Sequence, residues 1–176
     1  MSLPVSFCYA LAVTSIPIVS RLKKEGGNYY AKIIDAVKLT ALLSFTFAIL
    51  TYAFSGFAVN ILYSRLTSAD KLIATNMLKL SSASVIFLPI MQTLIACVNA
   101  LGKYKITIVS GIISALFKIG LSSILLKIVS FNVFGAIISD IFCYLVACFV
   151  NISYIIYSKV TSRLKYEQNN RYRLRS

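Results

Sequence analysis

Two runs decide the fold: ITIVSGIISALFKIGLSSILLK at 106–127 and NVFGAIISDIFCYLVACFVNISYIIY at 132–157. Both are apolar almost throughout. At about 1.5 Å of rise per residue, each is long enough as a helix to cross a hydrocarbon core about 30 Å thick. A short turn around Ser130 joins them into an antiparallel hairpin. Each run carries a single charge inside it, Lys118 in the first and Asp140 in the second. One charge deep in lipid costs about 2.5–3.5 kcal/mol on insertion scales, so two of opposite sign ask for a reason. In the hairpin they lie about 18 Å and 15 Å from the turn, matched to within one helical turn. An ion pair between Lys118 and Asp140 is therefore allowed if both face the same groove. Three roles stay open for Lys118. It can form a local bridge that offsets its own desolvation, snorkel to the boundary, or face a polar cavity and meet an anionic substrate.

The remaining composition agrees with a membrane setting. Of the 176 residues 59% are hydrophobic, and the mean hydropathy is +0.83. Soluble chains sit near 45–50% apolar. The apolar residues come in long runs, not in the alternating segments of about ten residues that make a β-barrel. The expected fold class is all-α integral membrane, with about five transmembrane helices. The net charge of +13 does not point to nucleic acid, because Lys and Arg cluster between apolar runs and in the tail. A nucleic-acid face needs a soluble basic domain. The cysteines, Cys8, Cys97, Cys143 and Cys148, all lie inside apolar runs, and the chain has no histidine. Zinc sites and Cys–His chemistry are excluded on that ground, and neither metal, cofactor nor enzymatic activity is expected.

Taken in order, Leu3–Val19 reads as a short first span that Pro17 ends or bends. No basic residue precedes it, which argues against a signal peptide. A polar break at Arg21–Gly27 follows. Asn28 then caps a short amphipathic interfacial helix whose apolar face holds Ile33, Ile34 and Val37. This leads into a second span at about Leu39–Leu62, with Gly56 as a packing contact. Ser68 is the expected N-cap of the next helix, with Asp70 complementing its N-terminus. That helix runs into a third span at about Leu80–Leu101, kinked at Pro89 and C-capped by Gly102. Gln92 and Asn99 share one of its faces, suited to interhelical hydrogen bonds or to lining a cavity. Gly111 with Ala115, and Gly135 with Ser139, are small-xxx-small pairs expected at close helix contacts. The predicted organisation is a transmembrane unit at 1–160 and a basic, disordered tail at 161–176. Thirteen of the eighteen Lys and Arg residues fall on the side of Arg21, Lys103 and the tail, and four on the other. The positive-inside rule then sets the N-terminus outside and the C-terminus in the cytoplasm.

Several stretches resemble the carboxy-terminal half of a polysaccharide exporter or lipid-linked oligosaccharide flippase. That group belongs to the multidrug/oligosaccharidyl-lipid/polysaccharide superfamily, and the resemblance is to its stage V sporulation protein B branch. The stretches are Ala10–Ser20, which closes on a Pro and a Ser before a basic loop, Ala36–Tyr63, and Asn99-Ala100-Leu101-Gly102-Lys103, similar to the family's GLGK turn. Lys118 and the Gly135-Ala136 helix start complete the set. The resemblance implies most of one six-helix lobe of a two-lobed protein in the bacterial cytoplasmic membrane. The implied activity is movement of lipid-linked glycan or peptidoglycan precursors, in sporulation on the strength of that branch. It also implies that Lys118 meets a phosphate or pyrophosphate, that Gln92 and Asn99 line the cavity, and that an amino-terminal lobe or partner membrane protein faces this one. Asp140 departs from the family, which has a small residue there. The alternative is a small structural membrane protein that acts by assembling with a partner.

Overall fold

The computed structural model describes residues 10, 14, 16–23, 25, 29–63, 65, 67–127 and 132–173, with side chains described as far as 161. After a helical stretch at 16–23 come α1 (Tyr29–Ala53), α2 (Ser55–Leu62), α3 (Ser68–Ala100), α4 (Tyr104–Leu125) and α5 (Asn132–Arg173). Among the described residues, four helices are long and apolar enough to span a membrane: α1, α3, α4 and the 134–161 part of α5. Most of the expected first span, Leu3–Val19, lies outside the described residues, as do Asn28 and the turn around Ser130.

The burial pattern is inverted relative to a soluble protein. Among the described residues, thirty-two large apolar side chains are exposed, whereas only twelve apolar residues are buried. In water, apolar patches beyond a few hundred Å² are rare on monomers. The buried set includes Thr40, Ser44, Ser55, Ser82, Thr93, Ser110, Ser114, Ser139 and Asn151. Small and hydroxyl-bearing residues between helices, with branched apolar residues outside, is how helices pack when lipid is the solvent. The chain is a multi-pass all-α membrane protein.

The middle of the bundle is α3 beside α5, with α1 flanking α3, α4 flanking α5, and α2 resting on the first half of α3. Thr93 Oγ1 donates to Thr40 Oγ1 at 3.1 Å, and Lys79 Nζ lies 5.6 Å from the centre of the Tyr52 ring. Those two contacts set α1 antiparallel to α3. Cys148 approaches Phe87, while Ile155 packs on the cluster of Val19, Ile33, Cys97 and Leu101, so α3 and α5 run parallel. The end of the bundle bearing Lys23, Lys103 and Lys159 also carries Tyr29, Tyr30, Tyr104, Tyr154 and Tyr157, the residue types that prefer a membrane–water boundary. There Tyr29 donates to Tyr30 (2.6 Å), and Tyr30 to Ser158 (3.2 Å).

Several local expectations change. The interfacial helix is not separate from the second span: α1 is continuous from Tyr29 to Ala53. Its packed stripe is Ile33, Thr40, Ser44 and Ala48, while Ile34 is exposed. Continuing an existing helix avoids a new nucleation, which explains why no break forms at Lys38. The second span is instead interrupted at Phe54, where ψ is 4° and Ser55 Oγ bonds Tyr52 O at 2.8 Å. Beyond Phe54, a Cβ added at Gly56 would meet Thr75 Cγ2 at 3.9 Å, ordinary van der Waals contact. Helical backbone also passes Pro17 and runs through Lys23, so the polar break begins later than expected. Arg21 holds that turn through Glu25, with Nε–Oε1 at 2.7 Å and the backbone bond at 3.0 Å.

The N-cap of α3 is Thr67, not Ser68. Thr67 is extended (φ −64°, ψ 158°), and its Oγ1 accepts from the Asp70 amide. Its hydroxyl in turn donates to the Asp70 carboxylate, a reciprocal cap. At the other end Gly102 has φ +69°. Its N–H bonds Asn99 O (2.8 Å), and the Lys103 N–H bonds Val98 O (3.3 Å), the Schellman closure. Residues 161–173 differ from the expected disordered tail, since α5 continues as helix to Arg173. Lys, Glu, Gln and Arg are good helix formers, and they extend a helix that the membrane segment has already nucleated.

Candidate functional site: the α4–α5 seam

One stripe of α4 carries Ser110, Ser114 and Lys118, spaced four apart and so stacked on one face. It faces α5 in antiparallel register. Ser110 meets Asn151, Lys118 meets Asp140, and Leu125 meets Gly135. Asn151 is fully buried, and its Nδ2 donates to Ser110 Oγ and to Ala147 O, both at 2.8 Å. Ser114 donates back to Ser110 O at 2.9 Å. Near the far end the helices almost touch. A Cβ on Gly135 would sit 2.9 Å from Leu125 Cβ and 3.3 Å from its carbonyl carbon. Only glycine allows that approach.

Lys118 Nζ and Asp140 Oδ1 form an ion pair. Lys118 is seven residues before the end of α4 and Asp140 eight after the start of α5. That sets them about 10 Å and 12 Å in from that end of the hairpin. The pair is not sealed: the Lys118 side chain is 47% exposed and that of Asp140 33%. It sits on the flank of the bundle, and α4 is the least covered span, with 11% of its most apolar 18-residue stretch buried against 39% of that in α3.

The other two expected site residues are elsewhere. Asn99 ends α3 at the opposite, basic end, where its Oδ1 accepts from Thr107 at 2.9 Å. Thr107 is eleven residues from Lys118 on α4, about 16 Å along the axis. Gln92 is half-buried in α3, and its Oε1 has no hydrogen-bond partner among the described residues. Lys118 and Asn99 thus lie apart along the α4 axis. Gly111 and Ala115 are exposed, with open space at the Gly111 Cβ position. The packed small pair of α4 is Ser110 and Ser114, because a one-residue step turns a helix by about 100°. Gly135 and Ser139 are buried as expected. Cys97 and Cys148 are buried free thiols, Cys143 is a half-buried one, and Cys8 lies outside the described residues.

Asn151 was not anticipated as a functional or structural residue. The signal was available: it is an amide in the middle of an apolar run, as Gln92 and Asn99 are. No family model, curated protein or solved structure matches this chain.

Proposed function

We propose that this chain is one lobe of a transporter that moves an anionic, lipid-linked glycan or peptidoglycan precursor across a membrane. The observation that carries the reading is the half-exposed Lys118–Asp140 pair, about 10–12 Å in from the Leu125–Asn132 end of the hairpin and open on the outer flank of the bundle. An ion pair left against lipid forgoes solvation on its open side. Facing a second lobe across a polar groove removes that cost. It also gives Lys118 a second anion to bind, the substrate phosphate, when Asp140 lets go. Alternating access needs one repeat moving against another, so the partner is an amino-terminal lobe or a separate membrane protein. In this reading the basic, tyrosine-rich end lies in the bacterial cytoplasm, the N-terminus outside and the C-terminus inside.

The alternative is a structural membrane protein that uses the same flank only to assemble. The two separate on a flipping assay. The protein, extracted in mild detergent with whatever co-purifies, is reconstituted into vesicles holding a fluorescent polyprenyl-pyrophosphate sugar. Dithionite then quenches probe exposed outside. Transport predicts movement above empty vesicles, loss of it in Lys118→Ala, and retention in Lys118→Arg. Movement equal to empty vesicles, or unchanged by Lys118→Ala, rejects the transport reading and leaves assembly.

A further inference from the structure

A recess of about 570 Å³ opens at the basic end of the bundle, remote from the Lys118 seam. Ile16, Ser20 and Lys23 line one side, and Asn99 through Gly102 with Tyr104 line the other. Its size falls within the 300–1,000 Å³ of small-molecule sites. Its walls divide by chemistry: Ile16, Ala100 and Leu101 are apolar, whereas Ser20, Lys23 and Asn99 are polar.

None of the described lining residues is acidic. The acids described at this end are engaged elsewhere, Glu25 with Arg21 and Asp35 near Lys32 at 3.9 Å. Lys23 Nζ donates to Leu101 O at 2.6 Å, which fixes the ammonium over the C-terminal turn of α3. An ammonium has three N–H donors, so others remain for a ligand. Lys103 and Lys105 bracket Tyr104 at the rim. The 22-residue helix α4 begins there at Tyr104, and its N-cap Lys103 supplies no side-chain cap. The positive end of its dipole is therefore open beside the recess.

From this combination we infer that the recess is a binding site for the phosphate headgroup of an anionic membrane phospholipid. The headgroup phosphate pairs with Lys23, and the upper acyl segment lies along Ile16 and Ala100. The apolar wall selects a lipid over free phosphate. The missing countercharge selects an anionic headgroup over a zwitterionic one. The ring of Tyr104, Tyr154 and Tyr157 places the recess at headgroup level. The inference does not depend on the transport reading, because the seam and the recess share no residue.

Native mass spectrometry of the whole protein from nanodiscs of phosphatidylglycerol or of phosphatidylcholine tests it. The comparison set is wild type, Lys23→Gln, the filling variant Ser20→Phe, and Lys127→Gln as an equal charge change at the opposite end. Wild type and Lys127→Gln should retain phosphatidylglycerol at least tenfold more than phosphatidylcholine. Lys23→Gln and Ser20→Phe should lose that preference while keeping wild-type helical circular dichroism. If Lys23→Gln does not fold, Ser20→Phe decides alone, since it leaves the charge in place. Equal retention in all four proteins overturns the assignment, as does equal retention of the two lipids by wild type. Thermal stabilisation by inorganic phosphate alone, matching that by phosphatidylglycerol, overturns the lipid source.

Discussion

Removing Lys118 and removing Asp140 should not cost the same, although they are two halves of one pair. Both lie about 10–12 Å from the Leu125–Asn132 end of the hairpin, by the rise of their helices. Asp140→Leu leaves a lysine whose four-carbon stem can carry the ammonium toward that boundary. Lys118→Met leaves a carboxylate on a short stem with no such route. Breaking a buried pair costs about 3–5 kcal/mol. These side chains are 47% and 33% exposed, so lower figures apply. Expected losses are about 2–3 kcal/mol for Lys118→Met and about 1 kcal/mol for Asp140→Leu, bounded by the insertion cost of one charge. The double variant leaves no orphan charge and should return to within about 1 kcal/mol of wild type. Reversible unfolding in mixed micelles, followed by helical circular dichroism, supplies the four free energies of the cycle. A coupling of about 2 kcal/mol or more supports the pair. Additive losses, or a larger loss for Asp140→Leu than for Lys118→Met, would refute the reasoning about depth and reach.

The same assay checks three further expectations. Gly135→Ala gains about 1 kcal/mol of helix propensity but drives a methyl to 2.9 Å from Leu125. Overpacking of about 1–3 kcal/mol should win, while Gly111→Ala and Gly120→Ala, with open space, should stabilise by about 0.5–1 kcal/mol. Asn151→Leu removes the bonds to Ser110 and Ala147 and should cost about 1–2 kcal/mol, against about 0.6 kcal/mol for Thr93→Val, which loses one interhelical bond to Thr40. A smaller effect at Asn151 than at Thr93 would count against the seam as the tighter interface. Gly102→Ala forces a Cβ into φ +69° and should cost about 1–2 kcal/mol, with Gly102→Asn closer to wild type.

Sequence alone determined the elements that depend on near neighbours. The hairpin of α4 and α5, the third span and the glycine closing α3 follow from apolar run length, turn residues and caps, all local quantities. The matched depth of Lys118 and Asp140 was also legible, because rise per residue is constant. Tertiary structure decided which face of each helix packs. Ser110 and Ser114 were chosen over Gly111 and Ala115, and Ile34 was turned outward, because a rotation of 100° per residue puts neighbouring stripes on different partners. It also decided which polar residues share a site. Lys118 and Asn99 both look like cavity residues in one dimension, but they lie near opposite ends of the bundle. The recess around Lys23 joins residues 78 apart in the chain, Lys23 and Leu101. Periodicity carries no information across that separation, and only the packing of the 16–23 helix on the end of α3 brings them together.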